Sequence, residues 1–173
     1  LSLRRQRQMC IRDRFECTLQ RDGHTVSASV LIHGLAPSAI AAGIEPAEAL
    51  LAFMEFLGDS PLLAFHAGFD QRMLARALKD TLNLRLRHPF YDVAELAPML
   101  CPQAEIRNGG LDDWTAYFGL QVGQRHHASA DALVTAELAL ILFSRARKQQ
   151  ADSLKALEQR LKSWRQRLQG HSL

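Results

Sequence analysis

Apolar positions along the chain switch between a period of two and a period near 3.6, and the switches mark out the elements. Phe15 to Gln20, FECTLQ, alternates apolar and polar residues and predicts a short strand, with Arg21-Asp22-Gly23 as the turn after it. Thr25 to Ile32 is extended and becomes apolar toward Ile32-His33-Gly34-Leu35. Pro37 to Ala42 predicts a short helix. Pro46 to Leu57 predicts a longer one, with Pro in its first turn, Glu48 favouring the positive N-terminus and Gly58 closing it. Leu50, Leu51, Phe53, Met54 and Leu57 form its expected buried face. Pro61 to Phe65 is a continuous apolar run, the pattern of a fully buried central strand. Asp70 to Lys79 follows as a helix that turns Met73, Leu74 and Leu78 to the core. A helix, a buried strand and another helix predict an α/β domain.

Further on, Phe90-Tyr91 is strand-like and AELAPML is helical but interrupted by Pro98. Gly109-Gly110 is a break, and Leu111 to Phe118 is a compact amphipathic helix stopped by Gly119. Ala130 to Phe143 is apolar on nearly all sides, which predicts a largely buried helix with Asp131 in its first turn. Leu154, Leu157, Leu161, Trp164 and Leu168 make one stripe on a basic helix. The stripe covers only about two heptads, so packing on its own domain is favoured over a coiled-coil partner.

With 173 residues, 47% hydrophobic and 23% charged, the composition is that of one soluble domain with a sizeable core. No apolar run reaches the roughly 18 residues of a membrane span, and the basic start lacks the apolar segment of a secretory signal, so the cytoplasm is the default. Cys10, Cys17 and Cys101 fit neither a disulfide framework nor a zinc site.

Arg4 to Asp13, RRQRQMCIRD, has neither periodicity nor turn chemistry. Its codons can be written CGT CGG CAG CGT CAG ATG TGT ATA AGA GAC, a string that resembles the adapter of transposase-based sequencing libraries, and Arg14 fits the adapter's last two bases. Residues 1–14 are therefore read as non-native and set apart from the fold. Arg4, Arg5, Arg7, Arg12 and Arg14 against Asp13 give this segment +4 of the formal +3, leaving −1 for the rest. From Arg145 onward eight basic residues face Asp152 and Glu158, a tail of +6, so residues 15–144 carry −7. The basic overall balance is no sign of nucleic-acid binding, whereas an acidic body suits either a divalent-metal site or a solvated surface.

Two stretches carry candidate chemistry: Leu62 to Asp70, LLAFHAGFD, and His126 to Ala132, HHASADA. Together they resemble the second and third motifs of the DnaQ-like 3′–5′ exonucleases, His-Asn-x-x-Phe-Asp and His-x-Ala-x-x-Asp-Ala. The resemblance covers about residues 15–145 and implies a ribonuclease H-like α/β fold, a mixed sheet flanked by helices. It implies that Asp70 and Asp131 are ligands of two Mg²⁺ or Mn²⁺ ions and that His126 is the general base. A histidine suits that role because its pKa lies near neutrality. It also places His66 and Phe69 against substrate, and His33 of Ile-His-Gly near the terminal nucleotide, a turn histidine being the other reading of His33. Ala67 stands where the family has Asn. By themselves, Asp70 and Asp131 could equally serve as caps or first-turn acids of helices.

The family's opening Asp-x-Glu pair does not precede Phe15, and the resemblance implies that two central strands are missing with it, so the expected fold is incomplete. Unpaired strand edges are costly, and the chain as written is expected to fold poorly and to be inactive, while its source gene encodes an exonuclease. The organisation read from the sequence is a non-native segment at 1–14, a partial exonuclease domain at 15–145 and a basic amphipathic helix at 146–173. Implied partners are nucleic acid with a 3′ end, DNA ahead of RNA, and a DNA polymerase subunit, with no membrane. The competing reading is a non-catalytic module that holds nucleic acid or a polymerase subunit. Sequencing the source DNA upstream of the Phe15 codon is expected to show an open frame running through a strand with Asp-x-Glu; a native start codon just before Arg4 would refute the adapter reading.

Overall fold

The computed structural model describes residues 14–20, 36–106, 108–123 and 127–170. These fall into two compact units, Leu1–Ser60 and Pro61–Leu173. His33, His126 and the segment Thr25 to Ile32 lie outside the described residues.

In the first unit, α1 (Pro37–Ala41) and α2 (Pro46–Leu57) form where the prolines and Gly58 place them. The Glu45 carboxylate accepts the Glu48 N–H at 3.1 Å and caps α2. Ala49, Leu50 and Leu57 are buried, but Leu51, expected inside, is exposed. Phe15 to Gln20 does not form the expected strand. Among the described residues it makes one parallel bridge, between Leu19 and Ile44, in which Gln20 N–H donates to Ile44 O at 2.7 Å and Ile44 N–H to Thr18 O at 2.8 Å. The close approach needs Gly43, where a Cβ would stand 2.6 Å from Thr18 O. The Phe15 ring lies 5.5 Å from Phe53 and 5.7 Å from Phe56, so this segment is held by aromatic contacts as much as by backbone bonds.

The second unit is α/β. Strand β1 (Leu62–Ala64) runs into α3 (Ala67–Leu82), and the chain returns to β2 (Phe90–Asp92), parallel to β1 with Leu62 opposite Phe90 and Ala64 opposite Asp92. Then follow α4 (Val93–Leu100), a short 3₁₀ turn at Pro102–Ala104, α5 (Leu111–Phe118), α6 (Ala128–Lys148) and α7 (Leu154–Gly170). The expected fully buried strand at Pro61 to Phe65 is only half-buried. Its sheet has two strands among the described residues, which leaves β1 with one paired neighbour.

Helix α4 passes through Pro98 without the interruption its sequence predicts. Proline forfeits one helical hydrogen bond, but Val93, Leu96, Ala97, Met99 and Leu100 of the same helix are all buried, and their burial outweighs it. The core forms where α4 and α5 meet α6, and α7 meets α4, around Trp114, Leu138 and Leu142. Arg145 of α6 lies 5.0 Å over the Phe118 ring at the end of α5, whose Gly119 takes the left-handed conformation (φ 65°) that stops the helix. Helix α6 is less buried than its composition predicts, since Leu133 and Leu140 face outward while Leu138 and Leu142 are enclosed. Met73 of α3 is likewise exposed, and Leu78 takes the core position.

Helix α7 packs on this core through Leu157, Leu161 and Trp164, as the stripe predicted, while Leu154 and Leu168 at its two ends stay exposed. Polar ties fix it further. The Tyr91 hydroxyl donates to Glu158 at 2.5 Å, Arg160 donates to Gln149 O at 3.1 Å, and Gln149 Nε2 donates to Leu100 O at 2.9 Å, closing the end of α4. The bond to Glu158, with burial, pushes the Tyr91 pKa up to about 12. Cys17 and Cys101 are free thiols. Replacing Leu138, which is 0% exposed, by Ala is expected to cost about 2–5 kcal/mol in urea unfolding. The same change at Leu140, 66% exposed on the same helix, should stay within about 0.5 kcal/mol.

Candidate active site at the strand ends

Parallel pairing brings the C-terminal ends of β1 and β2 side by side, and both chains turn there into helices. Such an edge of an α/β sheet is where ligands are usually bound. After β1 the chain makes one sharp step at His66, whose φ of 62° and ψ of 47° are left-handed, and α3 begins at Ala67. A non-glycine residue there costs about 1–3 kcal/mol. The Asp92 carboxylate answers that cost: its Oδ1 accepts the His66 N–H at 2.9 Å and the Ala94 N–H at 2.9 Å. A backbone bond to a charged group contributes about 1.5–3 kcal/mol, so the one at His66 is of the size of the strain. The His66 ring stands edge-on to Phe65 at 4.9 Å.

This turn sets Asp70 in the first turn of α3. Asp70 is exposed as a residue but its carboxyl is partly desolvated, which chiefly raises its pKa; the negative charge of Asp92 adds to this, and a hydrogen bond to its own backbone N–H works the other way. Asp92, bonded to the His66 N–H, and Asp70, four residues after His66, thus stand at the starts of α4 and α3, on one corner. Phe69 is 62% exposed. Asp131 lies in the first turn of α6, a helix that packs on β1. The cap positions of α3 and α6 are His66 and His127, so neither Asp70 nor Asp131 is the cap residue that one reading of the sequence allowed. The His127 Nδ1 lies 2.8 Å from Ser129 Oγ.

The RNase_T family model, described as Exonuclease, matches residues 5–139. The chain belongs to the DnaQ-like 3′–5′ exonuclease family. Its α/β second unit, with a small parallel sheet, is that of a ribonuclease H-like exonuclease domain. The match begins at residue 5 and so does not separate the adapter-like segment from the rest. Relatives include the PolC-type DNA polymerase III of Listeria innocua, 31% identical over 137 residues, which is 78% of this chain and 9% of that protein. That of Thermotoga maritima is 36% identical over 93 residues, 54% of this chain and 7% of that protein. The chain thus spans less than a tenth of the curated relatives it matches.

Members of this exonuclease family generally depend on divalent metal. Carboxylate oxygens at the shared corner are the donors that hard ions prefer. However, no three His, Cys, Asp or Glu side chains among the described residues converge as an ion site. Asp70 and Asp92 by themselves do not make an ion site. Asp92 was not singled out in the sequence, although it ends a strand and, with Glu95 three residues on, has the spacing of a helix-starting capping box before an apolar run. From α7, Arg165 Nε donates to Glu95 Oε1 at 2.9 Å and a second guanidinium nitrogen takes Glu95 Oε2. This pairing raises the Arg165 pKa, and the charge of Asp92 adds to it.

Because burial favours the neutral acid, the folded exonuclease chain binds the Asp70 proton more tightly than the unfolded chain does. Stability is therefore lost as the pH rises past the ordinary value of 3.8 and toward the raised folded value. Asp70→Asn is expected to melt above the parent at pH 7, with the gain shrinking as the pH falls toward 3.8, as read by thermal melts across that range.

Proposed function

We propose that the protein is a metal-dependent exonuclease that removes nucleotides from 3′ ends of DNA, working in the cytoplasm beside a DNA polymerase. The observation that supports it most is Asp70, in the first turn of the helix that follows β1 at a junction held by the Asp92 carboxylate, within a span matched by an exonuclease family. The PolC-type polymerases among the relatives support DNA as substrate and a polymerase as partner. No helix among the described residues is long and apolar enough to cross a membrane.

In this reading Asp70 and Asp131 hold Mg²⁺ or Mn²⁺, which supplies charge stabilisation to the phosphodiester oxygens when bound. His126 takes the proton of the attacking water. The exposed Phe69 ring stacks on a base near the 3′ end, with His66 and His33 contacting the terminal nucleotide.

The full-length product of the source gene is expected to release nucleoside monophosphates from a 5′-labelled single strand. EDTA should stop the reaction, and added Mg²⁺ or Mn²⁺ should restore it. His126→Ala should lower kcat roughly 10²- to 10⁴-fold, the usual contribution of a general base. Tight DNA binding with no hydrolysis, unaffected by His126→Ala, would replace this reading with the non-catalytic module.

A further inference from the structure

The Asp92 carboxylate does two things at one oxygen. It caps α4 through the Ala94 N–H, as many N-cap aspartates do, and it also takes the N–H of His66, a residue of a different strand–helix junction 26 positions earlier. The second bond is the unusual one. His66 is the first of four left-handed non-glycine residues in the described chain, and it alone stands between a strand and a helix that carries a candidate ligand. No side-chain hydrogen bond caps α3 at His66, so the direction of its first turn depends on what holds the His66 backbone.

We propose that Asp92 is a positioning residue of the candidate site: by fixing the His66 N–H and the start of α4 on one carboxylate oxygen, it aims the first turn of α3, and with it Asp70. The inference rests on the exonuclease reading for its effect on turnover, though not for the hydrogen bond itself. The site is braced from behind, since Glu95, in the first turn of α4, is held by Arg165 of α7, and Tyr91, the residue before Asp92, is held by Glu158 of the same helix. Helix α7 thus fixes the strand end on which Asp92 sits, and Asp92 passes that register across to the turn of α3. Outer groups that orient ligands typically change metal affinity or activity by about 10- to 100-fold when removed.

Two substitutions separate this role from capping and from direct metal binding. Asp92→Ser keeps an N-cap oxygen for Ala94, but its side chain is one atom shorter and withdraws from the His66 N–H. Asp92→Asn keeps a carbonyl oxygen that can accept from both N–H groups while losing the charge. In the full-length gene product, Asp92→Ser is expected to lower kcat by about 10- to 100-fold and to raise the Mn²⁺ concentration for half-maximal rate, with KM for DNA little changed. Asp92→Asn should recover most of both. Amide hydrogen exchange should quicken at His66 and through the first turn of α3 in Asp92→Ser, but not at Leu138 or Leu142 in the core.

Equal loss of activity in the Ser and Asn variants would overturn the proposal and make Asp92 a direct ligand through its charge. Unchanged exchange at His66 in Asp92→Ser would also overturn it. If the wild-type gene product shows no nuclease activity, the exonuclease reading fails, and the exchange measurement still decides whether Asp92 holds the turn.

Discussion

The candidate site depends on one short parallel pairing. Three residues of β1 lie beside three of β2, ending with Ala64 opposite Asp92, and this register puts an acceptor where the next turn needs one. A slip of one residue would turn Asp92 to the other face of the sheet and leave His66 without its partner. Two strands of three residues are marginal by themselves. The pairing persists because Leu63, Phe65 and Tyr91 pack into the helical core behind it.

That core is built on α6. Leu138 and Leu142 share one buried cluster with Trp114 of α5, residues of α4 and the stripe of α7; α4, α5 and β1 pack on α6, and α7 packs on α4. The helix that carries Asp131 at its start is therefore also the one that supports the strand leading to Asp70. The C-terminal helix belongs to the same construction: its apolar stripe is buried, and its Arg165 and Glu158 reach the residues on either side of Val93 and Asp92. Its basic charge is partly used inside the domain, in pairing with Glu95, so charge alone does not make it a nucleic-acid arm.

Much of this was legible. Proline and glycine punctuation bounded α2 to the residue and α5 as well, because these residues act through their own backbone geometry. The motif around Asp70 was visible for the same reason that it is functional: an apolar run that stops at an acid in the next helix. Asp92 was not visible in that way. Its local pattern marks a helix cap, and only the parallel pairing shows that the same oxygen serves a turn 26 residues away. Burial was the weakest inference. Leu51, Met73 and Leu140 are as apolar as their buried neighbours, but each is exposed.

Sequence by itself determined the kind of element, its ends, the exonuclease family and the acids that follow strands, because these follow from local backbone preference and residue chemistry. Tertiary structure decided which face of each helix is buried, that Pro98 is tolerated within α4, and that Asp92 holds the turn that leads to Asp70. Those outcomes rest on contacts between segments far apart in the chain, whose energies exceed any local preference and leave no mark in a window of neighbouring residues.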